Sequence, residues 1–446
     1  MDFTTYTPIY VRTTGSDGNN GLTVGSPKAS VQAAYDAAFA AESGNYVLDL
    51  GAGTFGGIVL TADWPVRIAV RGAGATESFL GGINSHGADA YNTGDPDYMD
   101  VQATSGANIE ILGDNTTNLG PITTVGGEGD SYTLNGGAGG SVTLTNFTTI
   151  DITTTAGFGC NGSSSGAVTL TTSTAAVIYA YGGGACYGVV PGGAVTLISS
   201  TSGGIYTNGG SGDNNGGVGG AVTLTSSTSG AISASGGWGG SYYGGNGGAV
   251  ILTTSTAGAI CTTSGDSGYY GHGSYGGNVT LTTSTSGDIS GNGGSSGGDD
   301  GGGGGAVNLT SSTSGDISGN GGNGGYDGGG GGSVNLNTST AGAIYTTGGN
   351  SFGGYGGGGG GTVTIDASVC SGINVLKGTG QGGFSQDGSI TSTNNLFTGI
   401  PDWATHASFD GTNTFSLGFA SVKAGLPIQS AHLILPFADV LGAGLL

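Results

Sequence analysis

The sequence predicts an all-β fold, a parallel β-helix in which short strands wind into stacked coils. Glycine supplies 105 of the 446 residues, against a usual share of ~7%, which excludes an ordinary helical or α/β enzyme. A V-x-L unit recurs at intervals of 26 to 29 residues, and an Ile stands ten positions after each Val. Because one coil cannot bury its apolar face alone, a fixed repeat of this length indicates coils that stack on one another.

Nine copies of this unit form the body of the predicted fold. They begin at Val142, Val168, Val195, Val222, Val250, Val279, Val307, Val334 and Val363, and the last copy has Ile365 in place of Leu. Alternation puts apolar side chains on one face, so we expect Val222, Leu224 and Ile232, with their equivalents, to be buried in aligned ladders. All length variation falls between each Ile and the next Val, where glycine is concentrated, which predicts Gly-rich arms along one edge of the coils. A disordered tract is the alternative, but disorder does not require an Ile at one fixed offset in every copy.

Composition divides the chain into four segments. Residues 1–45 are predicted to form an N-terminal cap with a short helix, residues 46–125 irregular opening coils, residues 126–376 the Gly-rich repeat, and residues 377–446 a C-terminal cap or attachment segment. In the first segment, Ser26 and Pro27 match a helix start, and an apolar stripe follows from Val31 to Phe39. Short strands are expected at Tyr46 to Leu50, Ile58 to Leu60, Val66 to Val70 and Ile109 to Leu112.

Charge limits the chemistry that the chain can perform. Six Lys and Arg residues stand against 28 Asp and Glu residues, for a net charge of −22, and no Lys or Arg occurs between residues 72 and 376. Nucleic acid is therefore excluded as a partner, because phosphates require clustered basic residues. Lyase chemistry that abstracts a proton with a basic residue is also absent from the repeat coils. We expect that the chain is not an enzyme and has no cofactor or metal.

Two sets of carboxylates can each be interpreted in two ways. Asp288 and Asp316 share an offset in successive coils and could flank a glycosidic bond, although solvated turn residues give the same pattern. Asp299 and Asp300, with Asp327 in the next arm, could bind a cation, but solvated loop charge is the favoured interpretation. T-x-T pairs on the outer strand face are similar to those of ice-binding solenoids. Other residues interrupt that ladder, which favours ordinary strand surface.

Targeting signals and cysteines say little about the location of the protein. No run of about 18 apolar residues predicts a transmembrane helix, and the N-terminus has neither the basic start nor the apolar core of a signal peptide, so Sec export is not expected. Cys160 and Cys186 stand at equivalent offsets in successive coils. We predict that they lie close together as free thiols, because stacked side chains point in parallel and do not meet the dihedral requirement of a disulfide.

The arms hold most of the Trp, His and Tyr residues of the repeat. Aromatic side chains on an adaptable backbone give large amphipathic contact surfaces, as in antibody paratopes. We predict that receptor-binding residues form one partly exposed strip in two successive arms, comprising Trp238, Tyr242, Tyr243, Tyr269, Tyr270 and His272. The alternative is that these rings pack over the glycine backbone and form the core of the arms themselves.

The beginning of the chain resembles a known superfold. Three stretches carry the likeness: Tyr10 to Leu22, Ser26-Pro27 with the helix that follows, and Leu48 to Phe55. Together they resemble the opening of right-handed parallel β-helix proteins of the pectate-lyase-like superfold. The resemblance implies right-handed coils and a helix that caps the first of them. It implies almost nothing about function, because this fold hosts lyases, hydrolases, viral tail spikes and adhesins.

The favoured function is that of a non-enzymatic virion structural or adhesion protein. In character the chain is nearest to phage tail spikes and Gly-rich phage adhesins, which implies location on the virion, a host cell-surface glycan or protein as partner, and contact with other virion proteins. Self-association into a homo-oligomer is compatible with this function. A cell-surface adhesin or extracellular filament protein is the second hypothesis, and a polysaccharide-degrading enzyme is the third.

Overall fold

The computed structural model describes residues 6–40, 46–60, 66–71, 78–80, 83–86, 89, 103, 105–113, 117–129, 134–268, 270–353, 355–380, 386–393, 396–397, 407–410 and 414–415. These residues form two compact units. The first comprises Met1–Gly210 with Thr223–Gly230, and the second comprises Ser211–Val222 with Ala231–Leu446. Within the described part of the chain, no helix has both the length and the apolar character needed to cross a membrane.

The first unit contains a helix and the strands of the opening and early repeat coils. They are β1 (Thr7–Val11), α1 (Val31–Ala40), β2 (Tyr46–Leu50), β3 (Gly53–Phe55), β4 (Ile58–Leu60), β5 (Val66–Arg71), β6 (Ser78–Leu80), β7 (Ile83–His86), β8 (Ile109–Leu112), β9 (Thr117–Leu119), β10 (Ile122–Val125), β11 (Val142–Thr145), β12 (Thr148–Thr155), β13 (Val168–Thr171), β14 (Thr174–Tyr179), β15 (Val195–Ile198) and β16 (Thr201–Tyr206). The four short strands predicted upstream of the repeat are all present. Each pairs in parallel with strands of neighbouring coils.

The remaining strands belong to the later coils. Two of them, β17 (Val222–Thr225) and β18 (Thr228–Ser233), contain residues of both units. The second unit then has β19 (Val250–Thr253), β20 (Ile260–Cys261), β21 (Val279–Thr282), β22 (Ile289–Ser290), β23 (Val307–Thr310), β24 (Ile317–Ser318), β25 (Val334–Asn337), β26 (Thr340–Tyr345), β27 (Thr362–Asp366), β28 (Val369–Asn374), β29 (Ser389–Thr393), β30 (Leu396–Phe397), β31 (Ala407–Asp410) and β32 (Thr414–Phe415).

Each unit is an all-β parallel solenoid, which confirms the predicted fold class. Successive coils pair in parallel and in register: Val142 lies opposite Val168 in the first unit, and Val279 lies opposite Val307 in the second. The second strands of the coils stack in the same way, with Ile260 opposite Ile289. Equal offsets in the sequence therefore become ladders in space.

The core consists of these ladders. Val222, Leu224 and Ile232 are buried as predicted, and every Val and Ile at the equivalent positions of the nine copies is buried as well. Their neighbours in the first strand of each coil alternate with them and point outward. Burial of the whole apolar set on one face is what an in-register parallel stack requires, because a slip of one residue would expose it.

A strained corner joins the two strands of each repeat coil. One non-glycine residue per copy has φ between 46° and 60°: Asn146, Thr172, Ser199, Ser226, Thr254, Thr283, Ser311, Thr338 and Ala367. This left-handed conformation is unfavourable for Thr and Ser. A buried Ser follows it in most coils, and these serines bridge the coils: the Ser284 hydroxyl accepts a hydrogen bond from the Ser255 N–H at 3.1 Å and donates one to the Thr282 carbonyl at 2.8 Å.

The N-terminal helix begins later than the sequence predicts. α1 starts at Val31, so Pro27, the expected first helical residue, precedes it. The Ser30 hydroxyl accepts a hydrogen bond from the Ala33 N–H at 3.2 Å, and the Asp17 carboxylate accepts the Ser30 N–H at 2.7 Å. The Ser30 hydroxyl also donates to Oδ2 of Asp17 at 2.9 Å, and the two hydrogen bonds from Ser30 hold the pKa of Asp17 below its usual value. The helix contacts β1, β2 and β4, as expected of a cap on the opening coils.

The predicted C-terminal cap falls mostly outside the described residues. Of residues 377–446, the structure describes 377–380, 386–393, 396–397, 407–410 and 414–415. Strand β29 continues the parallel pairing of the coils by pairing with β27, and β30 pairs with β28. The repeat pairing thus extends past residue 376, where the sequence pattern ends.

Candidate recognition surface

Backbone hydrogen bonds between glycines hold the arms of the second unit together. Each arm has an outgoing and a returning leg, and most residues of the legs belong to neither a strand nor a helix. The N–H of Gly322 donates to the carbonyl of Gly302, that of Gly329 to Gly322, and that of Gly349 to Gly329, all at 2.8 Å. The hydrogen bonds thus run alternately within an arm and between successive arms. They satisfy backbone groups that would otherwise be buried without partners.

At many glycines of the legs, the backbone of a neighbouring leg lies too close for a side chain. A Cβ atom on Gly329 would overlap the carbonyl oxygen of Gly302, and one on Gly349 would overlap that of Gly322. The next residue, Gly330, is exposed, and a Cβ there would lie 3.8 Å from the nearest atom. The interior of the arms is therefore mostly backbone, with small buried side chains such as those of Ser267, Ser274 and Ser296. Packing of aromatic rings over glycine as the arm core, the alternative drawn from the sequence, is wrong for the rings at the tips of these arms.

The tips of successive arms lie in register. Parallel bridges connect Gly212 with Gly239, Gly239 with Ser267, and Ser267 with Ser296. Further along, Gly324 and Ser351 form an equivalent bridge. Since neighbouring rungs of a parallel stack lie ~4.8 Å apart, side chains near these positions form a row that crosses several arms.

Most of the predicted receptor-binding residues lie exposed in this row. The exposed fractions are 51% for Trp238, 50% for Tyr242, 53% for Tyr243 and 73% for Tyr270, and His272 is also exposed. Tyr269, the sixth predicted residue, lies outside the described residues. Three more rings on later arms are exposed as well. We call the whole set the arm-tip strip, comprising Trp238, Tyr242, Tyr243, Tyr270, His272, Tyr326, Phe352 and Tyr355.

Ring contacts connect neighbouring arms within the strip. Tyr243 and His272 are stacked, with centroids 5.8 Å apart and planes inclined by 20°. Tyr326 and Tyr355 approach to 5.1 Å with an inclination of 53°. In both pairs the rings come from successive arms. Trp238 makes no ring contact with another described residue, and about half of its surface is exposed.

Two carboxylates adjoin His272. Its Nδ1 atom lies 3.5 Å from Oδ2 of Asp300, and its Nε2 atom lies 3.9 Å from Oδ2 of Asp299. The sequence analysis treated this aspartate pair as solvated charge or a cation ligand, and it missed the histidine as their neighbour. Because His272 and Asp300 lie 28 positions apart, about one coil length, the shared repeat offset was the signal that could have joined them. Among the described residues, no group of His, Cys, Asp or Glu is arranged to hold a metal ion.

Other aspartates of the arms serve as clamps between coils. One carboxylate oxygen of Asp266 accepts the Ser295 N–H at 2.7 Å, and one oxygen of Asp327 accepts the Gly356 N–H at 2.8 Å. Asp300 accepts the Asp327 N–H at 3.2 Å in the same way. Each side chain thus fixes the backbone of the following arm and presents its carboxylate at a defined place.

The coil body has a matching pair of clamps. Asp288 accepts the Asp316 N–H at 2.9 Å, and Asp316 accepts the Ala343 N–H at 2.7 Å, each through Oδ1. The two carboxylates that the sequence placed at one offset therefore bridge successive coils. This contact gives their shared position a structural explanation.

None of the four cysteines forms a disulfide bond. A parallel bridge joins Gly159 and Ala185, so Cys160 and Cys186 occupy the next position on adjacent rungs without forming a disulfide bond. Burial raises the pKa of the Cys370 thiol to about 12. That thiol is protonated at neutral pH, and only a thiolate is an effective nucleophile.

One aromatic cluster was missed by the sequence analysis. On the outer face of the first unit, Tyr179 and Tyr206 stack with centroids 5.4 Å apart, and Tyr181 lies 5.6 Å from Tyr179. Burial raises the pKa of Tyr181. Tyr179 and Tyr206 share the position after the repeat Ile, which was the available signal. Tyr179 and Tyr206 are only partly exposed, unlike the rings of the arm-tip strip, so this cluster is best described as a ladder that stabilises the coils.

Comparison with known proteins yields one similar structure. No protein-family model matches the chain, and a search of the curated proteins finds no match. Among solved structures, the crystal structure of a GH136 lacto-N-biosidase from Eubacterium ramulus is similar, with a TM-score of 0.33 and 10% identity. The alignment covers 88% of this chain and 68% of that one.

This comparison corrects the expectation that the chain is not an enzyme, since the matched protein is one. The expectation rested on the lack of Lys and Arg in the coils. That lack excludes proton abstraction by a basic residue, but glycoside hydrolysis requires two carboxylates and no basic residue. The composition therefore never excluded catalysis in general. At this level of likeness the match assigns no activity to the chain.

Proposed function

We propose that this protein is a virion adhesin, of the phage tail-spike or tail-fibre type, that recognises a glycan or protein on the host cell surface through the arm-tip strip. The observation that carries the proposal is the row of exposed rings on arms whose interior contains glycine backbone and small polar side chains but none of these rings. Large exposed aromatic side chains that the fold does not need favour a binding role. Rigid aromatic side chains also give contact area at a low entropic cost.

The scaffold supports this assignment. The two-strand coils keep a constant length, whereas the arms vary, and binding residues gather on loops that a rigid framework positions. The opening of the chain resembles that of β-helix proteins that include tail spikes, and the proposal includes location on the virion and contact with other virion proteins. Association of several copies would multiply the number of strips that face the host and strengthen attachment through avidity.

Attachment of purified protein to host cells tests the proposal. Replacing both Trp238 and Tyr270 by Ala should weaken attachment by roughly tenfold or more, since each exposed ring contributes on the order of 1 kcal/mol or more to binding. The thermal unfolding midpoint should hardly change, because neither ring is buried. Tyr345→Ala is the matched control, since it removes an exposed ring from the coil body of the same unit.

Two results would contradict the proposal. Normal attachment of the double variant would show that the strip is not the receptor surface. Absence of the protein from purified virions, together with its presence on cell envelopes, would replace the virion by the cell surface as its location. Antibody labelling of both fractions makes that distinction.

A further inference from the structure

We infer that the arm-tip strip selects its ligand by charge and favours a glycan that carries positively charged amino groups. This inference rests on the proposed function, because it names the chemistry of the ligand that the same surface would bind. Three features of the second unit lead to it: the inventory of charges, the free carboxylate oxygens, and the exposed ring faces.

The charge inventory disfavours anionic ligands. Five aspartates occupy the outer parts of the arms: Asp213, Asp266, Asp299, Asp300 and Asp327. No Lys or Arg occurs from residue 72 to residue 376. Recognition of phosphate, sulfate or carboxylate groups uses guanidinium or ammonium donors, which these arms lack. A polymer with acidic sugars would therefore meet like charge and no Lys or Arg side chain to compensate it.

The aspartates that clamp successive arms keep a charged oxygen that a ligand can contact. Asp266 and Asp327 each use one oxygen to accept a backbone N–H. The other carboxylate oxygen of each has no partner among the residues that the structure describes, and both side chains are exposed. An ammonium group can thus bind without breaking a clamp. Because the clamp fixes the carboxylate, less side-chain entropy is lost on binding than at a mobile surface residue.

The rings supply the second half of the recognition. The faces of Trp and Tyr attract cations, and an ammonium group over such a face gains ~0.5–1 kcal/mol at an exposed site. Trp238, Tyr270 and Tyr326 lie exposed on different arms that also carry these aspartates or adjoin them. An amino sugar can place its apolar ring face on an aromatic side chain while its ammonium group meets a carboxylate.

The register of the arms favours a polymer over a single sugar. The tips from Gly212 to Ser351 belong to six successive arms, so the row extends over roughly 20–25 Å at ~4.8 Å per rung. A linear polysaccharide with an amino group on each residue would meet several carboxylates along this row. Several weak contacts on one chain combine through a high effective concentration.

Two oligosaccharides with one backbone give a direct test. Chitosan hexaose carries free amino groups, and chitin hexaose is the same chain with each amino group acetylated. By calorimetry at a pH where the amines are protonated, we expect the chitosan hexaose to bind roughly tenfold more tightly or better, a difference of about 1.4 kcal/mol. Its binding should weaken as salt is added. Equal binding, tighter binding of chitin hexaose or no binding of either would overturn the inference.

A pair of variants separates local charge from net charge. Asp266→Asn with Asp327→Asn removes two charges from the arms but keeps the amide oxygens that accept the clamping hydrogen bonds. Asp288→Asn with Asp316→Asn removes the same charge from the coil body and keeps the equivalent clamps. The first variant should lose most of the preference for chitosan, and the second should retain it. Equal losses would show attraction to the net charge of the chain, and the inference would fail.

The cell assay distinguishes this inference from the proposed function. If the Trp238 and Tyr270 variant loses attachment while the two oligosaccharides bind equally, the strip is the receptor surface but does not select by charge. If wild-type protein does not attach to cells yet prefers chitosan, the charge selection holds and the adhesin proposal fails.

Discussion

The coil body and the arms of the second unit differ in what fills their interiors. In the body, Val, Leu and Ile side chains fill the space between two sheets, as Leu281 does against Leu309. In the arms, glycine backbones contact each other directly and every leg is hydrogen-bonded to its neighbours. The body loses stability when side-chain atoms are removed, and the arms lose it when atoms are added. One chain therefore contains two regions with opposite responses to the same kind of substitution.

The largest effect is expected from removal of side-chain atoms in the body. Leu281→Ala should lower the free energy of unfolding by about 2–5 kcal/mol, because Leu281 is fully buried and its loss leaves a cavity. Denaturant titration measures the change. Thr282→Ala, one residue further along the strand and exposed, is the control and should change it by less than ~0.5 kcal/mol. A small effect of Leu281→Ala would mean that the ladders are not a packed core.

Addition of a single methyl group to a closely packed glycine of the arms should lower the stability of the protein. Gly329→Ala should destabilise the protein by about 1–3 kcal/mol, because its Cβ would overlap the Gly302 carbonyl oxygen and the backbone must shift. Gly330→Ala, at the next position, has open space. It should be neutral or stabilise by ~0.4–1 kcal/mol through the unfolded chain. Equal effects of the two changes would refute close packing of the legs.

The fold could be predicted because Val, Leu and Ile recur at constant positions within each repeat. A parallel stack places residues at equal positions in one ladder. The placement of Val222, Leu224 and Ile232 follows from period and alternation alone. The first residue of α1 was predicted less accurately, because the capping contact to Ser30 comes from Asp17, which lies 13 positions earlier. Local pattern favoured Pro27 instead.

The arm tips were only half predictable. Their aromatic content showed where exposed rings could occur, but whether a ring packs inward depends on the space between the legs. That space is set by backbone contacts such as Gly329 with Gly302, which no pattern of side chains records. The neighbours of His272 were likewise hidden, because Asp299 and Asp300 come from the following arm.

The smallest expected effect concerns the corners, which belong to the body but respond to backbone conformation as the arms do. Thr283 has a φ of 50°, which a β-branched residue adopts unwillingly. Thr283→Asn should stabilise the protein by up to about 1 kcal/mol, because Asn tolerates this conformation better. Asn146 occupies the equivalent corner of the first copy. Thr285→Asn on the same corner is the control for thermal unfolding and should give no gain.

The contrast between legs and tips has a genetic consequence. Every missense change in a glycine codon adds a side chain, so point mutations at closely packed leg positions such as Gly329 and Gly349 produce chains that fold poorly. Point mutations at exposed tip residues such as Trp238 and Tyr270 should disturb the fold little and change mainly the surface that a ligand meets. Selection for a new host could therefore act on the tips codon by codon. A gene library randomised at those positions, with the glycine legs held constant, should yield folded variants with new binding specificities.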